Sequence, residues 1–92
     1  MLKISIAETR HGRRVVLEGR LIEPWTAEFT KACDNARQTL AGRQLIIDVK
    51  NVTAISQEGE NLLIALVREG IKFRCGVFAK QLLRELARRA RK

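Results

Sequence analysis

The feature that most limits the fold is the stretch Leu45-Ile46-Ile47-Asp48-Val49, where apolar side chains follow one another without alternation. A strand with one wet face alternates. One that stays apolar along its length is covered on both sides, the usual state of a central parallel strand. Parallel neighbours need crossover connections of about a dozen residues or more, usually helical. The flanking sequence supplies them. Before the run, Trp25, Phe29, Ala32, Cys33, Ala36 and Leu40 recur at spacings of three and four, with Glu28, Lys31, Asp34, Arg37 and Gln38 on the other side. Pro24 suits the first turn of that helix, and Gly42 lies just past its end. After the run, Lys50 to Ile55 reads as a loop. Ser56 is placed to cap a second helix, with Glu58 and Glu60 in its first turn. Leu62, Leu63, Leu66 and Val67 form its buried stripe, and Gly70 ends it.

The outer segments complete a sheet. Leu2, Ile4 and Ile6 alternate with Lys3 and Ser5, which predicts a half-buried strand over 2–8. A turn at Thr9 to Gly12 leads to a second strand, Arg14 to Leu21, interrupted by Gly19. The short connection predicts an antiparallel hairpin. Ile71, Phe73 and Cys75 alternate with Lys72 and Arg74, so 71–75 reads as a strand. Gly76 to Ala79 turns, and Leu82, Leu83, Leu86, Ala87 and Ala90 mark a last amphipathic helix. The expected class is α/β, in the order β-β-α-β-α-β-α. About four strands form a small mixed sheet with parallel central strands, and about three helices join them by right-handed crossovers. At 92 residues the chain reads as a single domain over 1–92.

Charge is unevenly spread. The formal net charge is +8, and Lys80, Arg84, Arg88, Arg89, Arg91 and Lys92 stand against Glu85 alone at the C-terminal end. A basic helix or tail at about 80–92 attracts polyanions: nucleic acid, acidic protein faces or anionic lipid. It equally suits a solvated helix end, where cations complement the dipole. The longest apolar run, Leu62 to Val67, is far short of the ~18 residues of a membrane span, and no secretory signal is read at the N-terminus, so a cytoplasmic location is expected. Cys33 and Cys75 read as reduced core residues, and His11 sits in a turn. One histidine and two scattered cysteines provide no metal set and no nucleophile–base pair. No phosphate-binding glycine loop is present. No cofactor, no metal and no enzymatic activity are expected.

The order of elements, the segment Leu45 to Leu66 and the basic strand after it resemble the STAS domain. That is the fold of bacterial anti-sigma factor antagonists and of the cytoplasmic domains of sulfate transporters. Asp48 matches the family's strand-end Asp, Val52 and Thr53 its loop pair, and Gly59 its helix-opening Gly. Val15 to Leu21 is similar to its second strand. In the family's regulated members, the residue before that Gly is a Ser or Thr phosphorylated by a partner kinase. Here the phosphoacceptor-equivalent position is Glu58, preceded by Gln57 and Ser56. Two readings of Glu58 stand side by side: a permanently acidic stand-in for the phosphorylated state, or a favourable acid in a helix first turn. Of the nearby hydroxyls Thr53 and Ser56, the latter is accounted for as a cap. Many members continue past the helix at 80–91 with a further strand and helix. Their absence here leaves a sheet edge for a partner or a second copy to cover, as in a homodimer.

The resulting expectation is a non-enzymatic protein-interaction module that uses the loop and helix start at 50–61: Lys50, Asn51, Thr53, Ser56, Gln57, Glu58, Glu60 and Asn61. The resemblance implies two kinds of protein partner. One is an ATP-binding anti-sigma factor or kinase; the other is the ATPase of an ABC-type transporter complex that carries a free-standing STAS subunit. A third reading is a small nucleic-acid-binding protein acting through the C-terminal helix. Trp25, Phe29 and Phe73 fall on apolar faces, so none of these three offers an exposed stacking platform to accompany the charge.

Overall fold

The computed structural model describes residues 1–75 together with Arg84, Glu85 and Arg88. The two alternating segments pair as the sequence predicts. Strand β1 (Leu2–Thr9) runs antiparallel to β2 (Gly12–Leu21), from Leu2 opposite Gly19 to Thr9 opposite Gly12. Gly12 has φ +152°, and a Cβ there would stand 2.2 Å from the Gln44 carbonyl oxygen, so the turn into β2 demands glycine. The Thr9 hydroxyl closes the turn by donating to the Gly12 carbonyl at 2.7 Å.

Helix α1 spans Trp25–Gln38. Pro24 takes the N-cap position rather than the first turn, after a cis Glu23–Pro24 peptide. Phe29, Cys33 and Ala36 are buried as the periodicity requires, with Trp25 and Leu40 packed at the margin. Thr26 is also buried, a polar residue outside the expected stripe.

The largest departure concerns β3, which runs Gln44–Ile55 and includes all of the expected loop 50–55. It pairs parallel with β2, from Gly12 opposite Gln44 to Leu21 opposite Ile55. Register shifts fall between Val16 and Glu18 and between Gly19 and Arg20, each of which fits one extra β3 residue. Polar residues there break the alternation that marks a strand, yet the bulges keep the ladder going. Asp48 is therefore a mid-strand residue, not a strand-end one. Gly19 does not interrupt β2; its φ of +108° lets the strand pass, where a Cβ would meet the Met1 carbonyl oxygen at 2.5 Å.

Helix α2 covers Gln57–Arg68, and β4 is only Lys72–Arg74, shorter than the expected 71–75. β4 lies parallel to β3, with Ile47 opposite Phe73. The sheet order is β1-β2-β3-β4. Both crossovers advance in the same direction, which puts α1 and α2 on one face. There Val15, Leu17, Leu21, Ile47, Val49, Phe29 and Leu63 are fully buried. Each contributes roughly 1.5–3 kcal/mol of transfer free energy. On the other face Ile46 and Asp48 are nearly as buried, flanked in register by Arg14 and Lys72 and by Val16 and Arg74. The expected turn at 76–79 lies outside the described residues; of the third helix expected over 80–91, Arg84, Glu85 and Arg88 are helical and exposed, and the rest lies outside them.

Candidate functional site

The expected site starts where β2 and β3 end together. The Ser56 N–H donates to the Leu21 carbonyl at 3.0 Å, which ties the head of α2 to the end of β2. The Ser56 hydroxyl accepts from the Gly59 N–H at 3.2 Å, as an N-cap should. Its carbonyl accepts from the Glu60 N–H at 2.9 Å and opens the helical ladder. Gly59 is buried because the first turn lies directly on β2. A Cβ there would stand 2.7 Å from the Leu21 carbonyl oxygen and 3.0 Å from Ile55 Cγ2.

With Gly59 turned inward, Gln57, Glu58 and Asn61 are exposed, while Glu60 and Ser56 are half-buried. The Gln57 side-chain amide donates to Asn61 Oδ1 at 3.2 Å along the outer face. Glu23, which the sequence reading did not include, joins this group from the turn before α1. Its carboxyl is held below the usual carboxylate range, first by its own backbone N–H and then by the Ser56 hydroxyl, and it neighbours Glu58. Nothing in the spacing of Glu23 and Glu58 signals this; the antiparallel-then-parallel path of the sheet brings them together.

The remaining expected residues stand apart. Thr53 is exposed, and its hydroxyl donates to the Gly19 carbonyl at 3.1 Å, securing the second bulge. Lys50 and Asn51 are exposed at the first bulge, where the Lys50 N–H donates to Asp48 Oδ1 at 3.0 Å. Six residue steps separate Lys50 from Ser56, about 20 Å at extended spacing. The eight residues thus divide into a compact acidic and amide cluster on the head of α2 and a second polar patch along β3.

Concave surfaces lie elsewhere, one of about 310 Å³ beside Leu40, Leu45 and Ile71. A groove of about 220 Å³ runs between α1 and α2, floored by Phe29, Cys33, Leu62 and Leu66. Arg37 bridges it by donating to both Glu69 oxygens, at 2.8 and 2.9 Å. Glu69 follows α2 at its C-terminal end, a helix length of roughly 18 Å from Ser56. Burial pushes the Cys33 thiol in that groove up to about 11. His11 is exposed at the hairpin tip, and both cysteines are free thiols. Among the described residues no three His, Cys, Asp or Glu side chains gather as metal ligands, and no helix is long and apolar enough to cross a membrane.

No family model matches the chain, and no curated protein matches it. Among solved structures it is similar to an uncharacterized protein from the DUF3478 family with a SpoIIAA-like fold, from Shewanella loihica PV-4. The two are 13% identical, with a TM-score of 0.54 over 92% of this chain and 93% of that one. A likeness of this kind speaks to the fold. The chain has a SpoIIAA-like fold, which is the STAS and anti-sigma factor antagonist fold.

Proposed function

We propose that this chain is a non-enzymatic, STAS-type protein-interaction module that presents the head of α2 to a protein partner. The observation that carries the reading is the seating of Gly59 on the Leu21 carbonyl. That contact and the Ser56 cap hold the first turn in one place, so Gln57, Glu58 and Asn61 project from a fixed frame at the end of the sheet. α/β folds generally bind at this end. Pre-positioned side chains lose little freedom on binding, which favours recognition. Lys50, Asn51 and Thr53 extend the surface along β3.

The resemblance to STAS modules supports a partner of one of two kinds: an ATP-binding anti-sigma factor or kinase, with a transporter ATPase as the second branch. Glu58 stands where the regulated members carry their phosphoacceptor. Beside Glu23 it gives the surface a fixed negative character, which suits a partner face rich in Arg or Lys. Such a module works in the cytoplasm, where these partners are found.

The test is capture of partners from host lysate, with and without nuclease and at low and high salt, repeated with Glu58→Arg and Asn61→Arg. A single ATPase-fold protein that survives high salt and is lost with both variants supports the reading and identifies the branch. Retention unchanged by either substitution rejects this surface. Retention of nucleic acid alone, lost with salt, moves the function to the basic C-terminal segment.

A further inference from the structure

The two edges of the sheet are built differently. β4 is three residues long and carries Lys72 and Arg74, so shortness and charge both discourage further pairing. β1 is eight residues long, with no proline, and its pairing with β2 runs without a register shift from end to end. Among the described residues nothing pairs with its outer side. The Arg20 N–H donates to the Met1 carbonyl at 3.2 Å, which fixes the phase of the ladder. The odd-numbered residues of β1 therefore bond inward to β2. Leu2, Ile4, Ile6 and Glu8 present their backbone N–H and C=O groups outward. Ile6 is 50% exposed, and the large exposed apolar side chains among the described residues are Ile6 and Met1, both at this edge.

The edge also lacks the charge that dominates the rest of the molecule. Lys3 and Glu8 are its charged side chains, and Glu8 is already held by Arg13 and by Arg43, the latter at 2.7 Å. Its carboxyl lies below the usual range for that reason.

We infer that β1 pairs antiparallel with β1 of a second copy, about a two-fold axis through Ser5, joining two sheets into one. In this register Ile4 faces Ile6 of the second copy and Leu2 faces Glu8, so every outward backbone group of the strand is paired. Shifting the register by two leaves either Leu2 or Glu8 unpaired. On the helix-bearing face the isoleucines of both copies form one cluster that continues the core. On the other face Ser5 meets Ser5, and Lys3 meets Ala7. The two Lys3 side chains stay four residues apart, ~14 Å along the strand, beyond the ~8 Å screening length. A self-complementary strand of this kind closes as an isologous dimer and leaves no further copy of the edge free.

The test is sedimentation equilibrium of the full chain over a range of concentrations, with two variants. Ile6→Lys places a charge in the seam, and its expected effect is a dissociation constant raised about tenfold or more, ~1.4 kcal/mol or more. Ser5→Cys in a Cys75→Ala background reads the register directly. Ser5 and its counterpart form a non-hydrogen-bonded pair with Cα atoms ~4.5 Å apart, within disulfide range. Oxidation should give a covalent dimer with Ser5→Cys and none with Lys3→Cys in the same background. A monomer at every concentration overturns the inference, as does a dimer that Ile6→Lys leaves intact. Equal cross-linking at positions 3 and 5 overturns the register. A monomer that instead takes up an extended peptide along β1 assigns the edge to a different partner.

Discussion

Replacing Gly59 by alanine sets two effects of opposite sign against each other. In an ordinary helical position the change stabilises by about 0.5–1 kcal/mol, because alanine loses less backbone freedom on folding. At Gly59 the new Cβ would lie 2.7 Å from the Leu21 carbonyl oxygen, with Ile55 Cγ2 at 3.0 Å and Leu21 Cγ at 3.1 Å. That oxygen belongs to the β2 backbone and cannot rotate away, so α2 must lift. Overpacking of this kind costs about 1–3 kcal/mol. Lifting also stretches the 3.0 Å bond from the Ser56 N–H to the same carbonyl, worth about 0.5–1.5 kcal/mol. The net expectation is a destabilisation within bounds of about 0.5–4 kcal/mol, centred on ~2 kcal/mol. In a domain this size that is a fall of roughly 5–15 °C in Tm. Urea titration followed by far-UV circular dichroism and Trp25 fluorescence gives the midpoint and the slope together. Asn35→Ala, on the exposed side of α1, is the control and should raise stability by a few tenths of a kcal/mol, about the gap in helix propensity. A Gly59→Ala midpoint at or above that of the parent, with an unchanged slope, would refute the claim that α2 is seated on the Leu21 carbonyl.

Two further outcomes are expected. Ser56→Ala removes the acceptor for the Gly59 N–H and should cost about 1 kcal/mol in the same titration, most of it restored by Ser56→Asp. Cys33, with its thiol pushed up to about 11 by burial, should resist alkylation at neutral pH until the chain unfolds, with the half-buried Cys75 labelled first. The linked pH effect has a definite sign. The thiol stays neutral in the fold, while in the unfolded chain it ionises above ~8.5. Stability is therefore unaffected below that value and declines as pH rises towards 11, and Cys33→Ser should flatten the decline.

Much of the fold is written in the sequence in local form. The uniform apolarity of Leu45 to Val49, the three–four spacing from Trp25 to Ala36 and the Thr9–Gly12 turn each report a nearby geometric demand. The second half of β3 escapes such reading. Its strand character comes from the ladder with β2, and the two bulges remove the period-two signal that would announce it. Val52 packs against the core and Thr53 is exposed in a register set by the two bulges against β2, a fact that belongs to the pair of strands. For the same reason the expected surface at 50–61 divides into two patches. The loop assumed between Asp48 and Ser56 would have folded Lys50 close to Glu58, whereas an extended strand holds them apart. Ser56 was legible because capping is a local need; Gly59 was marked only by its match to the family's helix-opening Gly, and its seating on Leu21 is a tertiary contact. Glu23 was not legible, since its place beside Glu58 depends on where β2 delivers the chain.

The strand order, β1-β2-β3-β4, is also the order of the chain. No strand has to be threaded between two others already joined. Each one docks on the side most recently completed, once its crossover helix has formed. Such a sheet can be assembled as the chain leaves the ribosome, at about 5–20 residues per second, beginning with the hairpin, whose contacts are the most local. Growth proceeds away from the hairpin and ends at β4. The outer side of β1 is thus exposed from the first moment of assembly to the last, and nascent chains on a shared message would meet one another along that side before their interiors had closed.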